Sequence, residues 1–171
     1  MIEKLDRPDW DTYFITLALL VAQRSIDPST KHGAIAVDKD NTILAVGYNS
    51  PPRGCQDNLI PLTRPEKYAF MVHAEEALIC NAAKHGISLN GATLYITGHP
   101  CDRCFRGILN AGIKKVVYGP IGAKCVDEKV IENIGVMMAG RNDISCIRTD
   151  VSDGCLALLG KTAEYLKTKI N

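Results

Sequence analysis

Three residues most constrain how this chain can fold: His73 in the run His73-Ala74-Glu75, and the two thiols of Pro100-Cys101-Asp102-Arg103-Cys104. One imidazole and two thiolates make three protein ligands for a tetrahedral zinc ion, and a catalytic zinc site keeps its fourth position open for water. Any fold that uses the three must bring well-separated stretches of chain to one point. A Cys-x-x-Cys pair at a helix start aims both sulfurs at one ion, and the free N–H groups and dipole of that helix end favour the thiolate form. Glu75 follows His73 closely enough to stand beside the metal without ligating it. There it can take a proton from water and deliver it to a substrate nitrogen. The competing reading is a closed structural zinc with a further Cys or His as fourth ligand. Such sites usually pair two Cys-x-x-Cys knuckles, and this chain has one.

At 171 residues the chain fits a single domain over residues 1–171, long enough to bury a substantial core. Its 20 basic and 19 acidic residues give a net charge of +1 with no run of one sign. A protein that tracks long nucleic acid usually carries a basic stripe, so a small substrate is expected. The longest apolar run, Ile15 to Ala22 interrupted by Thr16, falls far short of the ~20 residues that cross a bilayer. Glu3, Asp6, Asp9 and Asp11 leave the N-terminus without the basic start of a signal peptide. Two of the seven cysteines belong to the knuckle, and the others show no disulfide-framework spacing. Reduced thiols and a cytoplasmic location are the expectation. A second metal site drawn from Cys55, His32 or His85 is an open alternative.

The apolar spacing predicts a first helix over Pro8 to Ser25, with Asp6 as cap and Phe14, Leu17, Ala18, Val21 and Ala22 toward a sheet. Trp10 and Tyr13 are expected in the core rather than as a ligand platform. Gly33 to Val37 and Thr42 to Tyr48 read as a hairpin in a sheet covered on both faces. The Pro-rich loop that follows Asn49 is long and aperiodic, and such loops are usually functional. Helices over Val72 to His85, Asp102 to Ala111, Val126 to Met138 and Ser152 to Lys169 alternate with strands at Thr93 to Thr97, Lys115 to Tyr118 and Ile144 to Ile147. That alternation predicts an α/β fold: a mixed five-stranded sheet with helices on both faces, and the metal-binding segments at neighbouring helix N-termini.

The ordered pattern H-x-E…P-C-x-x-C is the signature of zinc nucleobase deaminases. Around it the chain resembles the cytidine deaminase superfamily, and within that the deoxycytidylate (dCMP) deaminases. The resemblance runs from about Trp10 to Tyr118 and is carried by Trp10-Asp11-x-Tyr13-Phe14, Arg24-Ser25-x-Asp27-Pro28-Ser29-Thr30, Gly47-Tyr48-Asn49 and Pro52-Arg53-Gly54-Cys55. It implies a three-layer α/β/α cytidine deaminase-like fold. The implied activity is hydrolysis of dCMP to dUMP and ammonia, which feeds thymidylate synthesis. It further implies Zn2+ held by His73, Cys101 and Cys104, with Glu75 moving protons to N3 and to the departing amino group.

Asn49 resembles the residue that contacts the nucleoside, Ala74 belongs to the same substrate-facing motif, and Tyr118 and His99 are placed to border the base. Arg24, Ser25, Ser29 and Arg53, with Lys31, cluster as candidate phosphate ligands, since hydroxyls with a guanidinium suit a monophosphate. The resemblance also implies a homo-oligomer, a hexamer or smaller, and in larger members regulation by dCTP and dTTP. Two departures bear on regulation: Ala77 stands where Asn is common, and Ser50 where Gly is common. His32 replaces a small apolar residue, and His99 leaves open a preference for dCTP or a 5-substituted dCMP. A tRNA or polynucleotide deaminase shares the zinc motif and is disfavoured by the near-neutral charge. A non-catalytic zinc module would not need Glu75.

Overall fold

The structure, a computed structural model, describes residues 7–122, 127–150 and 152–169. Its elements in chain order are α1 (Trp10–Ala22), β1 (Gly33–Val37), β2 (Ile43–Tyr48), α2 (Ala74–Lys84), β3 (Thr93–Gly98), α3 (Asp102–Asn110), β4 (Lys115–Ile121), α4 (Glu128–Met138), β5 (Ser145–Arg148) and α5 (Ser152–Lys169). One sheet runs in the order β2-β1-β3-β4-β5. β1 is antiparallel to both β2 and β3, whereas β3, β4 and β5 are parallel. The sheet is therefore mixed and five-stranded, as the alternation of elements predicts.

The period-two alternation of strand side chains divides the core into two layers. Ala34, Ala36, Leu94, Ile96 and Val116 point to the face covered by α2, α3 and α4, where Leu78, Phe105 and Ile108 meet them. Ile35, Val37, Tyr95 and Val117 point to the opposite face, against Phe14, Ile15 and Ala18 of α1 and Cys155 of α5. The double cover holds for the inner strands. β2 lies at the edge and leaves Ile43 and Val46 exposed.

Several boundaries differ from expectation for local reasons. The proposed cap Asp6 lies outside the described residues. Asp9 caps α1 instead, accepting the Thr12 N–H at 2.8 Å and the Thr12 hydroxyl at 2.7 Å. The helix closes at Ala22 because the N–H groups of Gln23, Arg24 and Ser25 turn back to carbonyls three residues earlier. Trp10 and Tyr13 are exposed rather than in the core: Trp10 sits one turn before Phe14 and stacks on its ring at 5.4 Å, its outer face in solvent. The expected start of the fourth helix, Val126, also lies outside the described residues, and Asp127 caps α4 through the Lys129 N–H. Among the described residues no helix is long and apolar enough to cross a membrane.

Two glycines let helices press directly on the hairpin. A Cβ on Gly33 would stand 2.8 Å from the Ala22 nitrogen of α1, and one on Gly47 would stand 2.5 Å from the Leu78 nitrogen of α2. Both neighbours are backbone and cannot give way cheaply. Since α2 carries Glu75, Gly47 sets the depth at which that carboxylate sits. Gly47→Ala should lower stability by about 1–3 kcal/mol, the usual range for overpacking. Chemical denaturation measures this, and an unchanged midpoint would contradict the close approach.

Candidate active site

Loop ends at one rim of the sheet surround a cavity of about 360 Å³. It opens beyond the carboxyl ends of β3 and β4, the usual ligand crevice of sheets with parallel strands. His73, Ala74 and Glu75 wall one side, and Gly98, His99, Pro100 and Cys101 another. Both segments lead into helices. His73 is the residue immediately before α2, rather than part of its first turn, and Cys101 stands in the same position before α3. Cys101 caps its helix by accepting the Cys104 N–H on sulfur at 3.4 Å, which turns the second thiol toward the first.

The His73 Nδ1 lies 3.5 Å from the Cys101 sulfur and 3.4 Å from the Cys104 sulfur, and the three ligand atoms lie within 4.8 Å of one another. A tetrahedral zinc with ordinary Zn–N and Zn–S bonds separates nitrogen from sulfur by about 3.6 Å. The donor set therefore fits such an ion in both chemistry and spacing. It is the metal-ligating cluster found among the described residues. The alternative second site does not assemble there, since His32 lines this cavity and Cys55 a different one.

Electrostatics at the cluster favour a bound cation. The Cys101 thiol is pulled down to about 4, first by the hydrogen bond from the Cys104 thiol, then by His73 and the Cys104 N–H. Cys104 is pushed up, chiefly by that same bond to Cys101 and then by burial. His73 is raised, first by its hydrogen bond to Cys101. Glu75 is 7% exposed, and burial pushes its carboxyl up to about 6. That places it near the value at which a carboxyl both accepts and returns a proton in the neutral range.

The remaining sequence candidates divide between two places. Asn49 lines the cavity, but much of its amide is committed: Oδ1 accepts the His32 N–H at 2.7 Å and Nδ2 donates to the Thr30 carbonyl at 3.0 Å. His99 lines it too, and its Nδ1 lies 2.8 Å from the Pro100 carbonyl. A carbonyl only accepts, so Nδ1 carries the proton and Nε2 is left as an acceptor. Tyr118 packs its ring edge-on against His99 at 4.8 Å and stands behind it rather than on the cavity wall.

Arg24 and Arg53 line a second cavity of about 460 Å³, with Ser50 and Ala77 also on its wall. Arg53 there donates to Asn81 Oδ1 at 2.7 Å. Ser25 is buried, its hydroxyl accepting the Asp27 N–H, and Ser29 is exposed. These four do not share a wall with His73.

Several polar lining residues had no role in the sequence reading. Asp27 and Lys67 form a buried ion pair, Thr97 meets the His32 ring at 3.1 Å, and Arg64 stands exposed at the mouth. Burial, then the field of His73, lowers the His32 pKa, so its imidazole is neutral. His32 had drawn notice as a polar residue in an apolar place, and Asp27 only as part of a family-like segment. A buried lysine inside an aperiodic loop carries no pattern that a sequence shows.

Three ligands with an open side and a buried acid next to them define a class, the metal-assisted hydrolases. Residues 8–120 match the family described as the cytidine and deoxycytidylate deaminase zinc-binding region, and the chain belongs to that family. It is 40% identical over 119 residues to the deoxycytidylate deaminase of Mus musculus, covering 66% of each chain. It is 41% identical over 120 residues to the probable deoxycytidylate deaminase of Drosophila melanogaster, covering 64% of this chain and 58% of that one. The chain thus spans about two thirds or less of these two relatives. The dCMP deaminase of cyanophage S-TIM5, solved in complex with dCMP and dUMP, superimposes with a TM-score of 0.68 at 29% identity, over 84% of this chain and 98% of that one.

Cys104→Ser should cut bound zinc to less than about a tenth of an equivalent, because a hydroxyl does not replace a thiolate ligand. Metal analysis of the purified variant checks this, and full occupancy would remove Cys104 from the ligand set.

Proposed function

We propose that the chain hydrolyses dCMP to dUMP and ammonia in the cavity beside His73, with Zn2+ held by His73, Cys101 and Cys104. The observation that carries this reading is the buried Glu75 carboxylate, set next to three converging ligands on the wall of a cavity of about 360 Å³. Zinc held by His73, Cys101 and Cys104 would supply Lewis acidity, making a water available as nucleophile at neutral pH. Glu75 would take one proton from the water whose oxygen adds to C4 of the pyrimidine and pass it to N3; it would then move the second proton of that oxygen to the amino group, so that the C4–N bond breaks, ammonia leaves and a C4 carbonyl remains. A carboxyl held near 6 suits both directions of transfer.

The remaining walls orient the substrate. Ala74 is the first residue of α2 and lines the cavity, so its N–H, with no partner within the helix, is our donor for the pyrimidine carbonyl. Asn49 keeps one lone pair on Oδ1, which suits a sugar hydroxyl. His99 offers Nε2 as an acceptor, and Tyr118 braces its ring. Arg64 has no hydrogen-bond or ion-pair partner among the described residues, and a guanidinium is the natural seat for a monophosphate. We place the phosphate there rather than at Arg24 and Arg53. Those two arginines suit an effector such as dCTP or dTTP in the second cavity, where both departures, Ser50 and Ala77, also lie.

Glu75→Gln should retain zinc and Tm while kcat for ammonia release falls about 10²- to 10⁴-fold, the usual contribution of a general acid–base. An unchanged rate would remove the mechanism. Arg64→Gln should raise KM for dCMP at least tenfold (about 1.4 kcal/mol) and leave KM for deoxycytidine within twofold. Equal effects on both substrates would remove the phosphate role.

A further inference from the structure

The cavity wall contains one fully buried ion pair that the deamination mechanism does not use. Lys67 and Asp27 have side chains 4% and 5% exposed, and the Lys67 ammonium lies 2.7 and 2.6 Å from the two carboxylate oxygens. A pair this deep contributes little net stability, because stripping both charges of water offsets most of their attraction. What it supplies is fixed geometry.

The Asp27 carboxylate is a junction. It accepts the N–H groups of Ser29 and Thr30 at 2.8 and 3.3 Å and receives a longer contact from the Asn49 amide at 3.4 Å. Lys67 reaches this junction out of the long loop between β2 and α2. That loop rejoins the body through the Ser50–Val72 backbone bridge. Another side-chain hydrogen bond of the loop, Thr63 to Glu66, stays within it. Arg64, Tyr68 and Met71, which Lys67 carries with it, form the outer wall of the cavity.

We propose that Lys67 is a positioning residue: its ion pair with Asp27 moors the loop around residues 57–71 as the outer wall of the substrate cavity and holds the Asn49 amide in one orientation before substrate arrives. The proposal rests on the deamination reading for its kinetic consequence and on the ion pair alone for its structural one. The metal ligands and Glu75 are held by α2 and α3, not by this loop, so loss of the mooring acts on substrate capture and leaves the chemical step in place.

Two variants separate this from a merely structural role. Lys67→Met strands a buried carboxylate and should lower Tm. Adding Asp27→Asn removes that charge while its amide oxygen still accepts the Ser29 and Thr30 N–H groups, so most of the Tm should return. In the double variant KM for dCMP should nevertheless stay at least tenfold raised, with kcat within threefold and zinc at one equivalent. Amide hydrogen exchange over residues 57–71 should be at least tenfold faster than in the wild type, with β1 and β3 unchanged. A double variant that regains wild-type KM along with Tm, or that loses kcat rather than KM, would overturn the proposal. A wild-type protein inactive on dCMP would sink the deamination reading instead; unchanged exchange over 57–71 would still overturn the mooring, and accelerated exchange would sustain it.

Discussion

Two helix N-termini aimed at one point form the constraint on which this structure depends. α2 and α3 lie side by side on one face of the sheet, and each begins at a candidate metal ligand. Unpaired N–H groups and the positive end of each dipole then act together on the sulfurs and on whatever anion enters the cavity. The neighbouring strands serve this convergence. β3 delivers Cys101 directly from its carboxyl end, and the glycine in β2 lets α2 settle deep enough that Glu75 is enclosed.

Glu75, Asp27 and His32 share this small space and meet different fates, which separates chemistry from architecture. Glu75 is buried with no cation hydrogen-bonded to it among the described residues, so its proton affinity rises, as the proposed role of proton carrier requires. Burial would raise Asp27 too, but the Lys67 ammonium and two backbone N–H groups outweigh it, so Asp27 is held low as a fixed charge. His32 has neither recourse. Burial lowers its affinity for a proton, and its ring rests beside Gly98 with Nδ1 against the Thr97 hydroxyl. The partner each side chain finds, more than its depth, decides whether it moves protons or holds walls.

Much of this was legible in the chain itself, where local chemistry repeats. The strand and helix alternation, the order of the ligands and the place of Glu75 all follow from apolar period and short-range spacing. What was hidden depends on distant contacts. Trp10 looked like a core residue because its period fits, yet it lies one turn short of the sheet and covers Phe14 from outside. Arg24 and Arg53 flank the hairpin in sequence but line the second cavity, in company with Ala77 and apart from His73. Lys67 was invisible, because only the fold reveals a buried partner for it.

The proposed reaction on a small nucleotide accounts for these features together: a cavity beside the three converging side chains, an arginine at its mouth with no partner among the described residues, and a charge too near neutral to track a polynucleotide. The most direct measurement is ammonia release from dCMP by the purified protein, with zinc content determined on the same sample and a cytosine-containing oligonucleotide as the comparison. One equivalent of zinc with turnover of the free nucleotide and none of the oligonucleotide is the result expected. Stoichiometric zinc with no ammonia from dCMP, or full turnover in protein stripped of metal, would contradict the account.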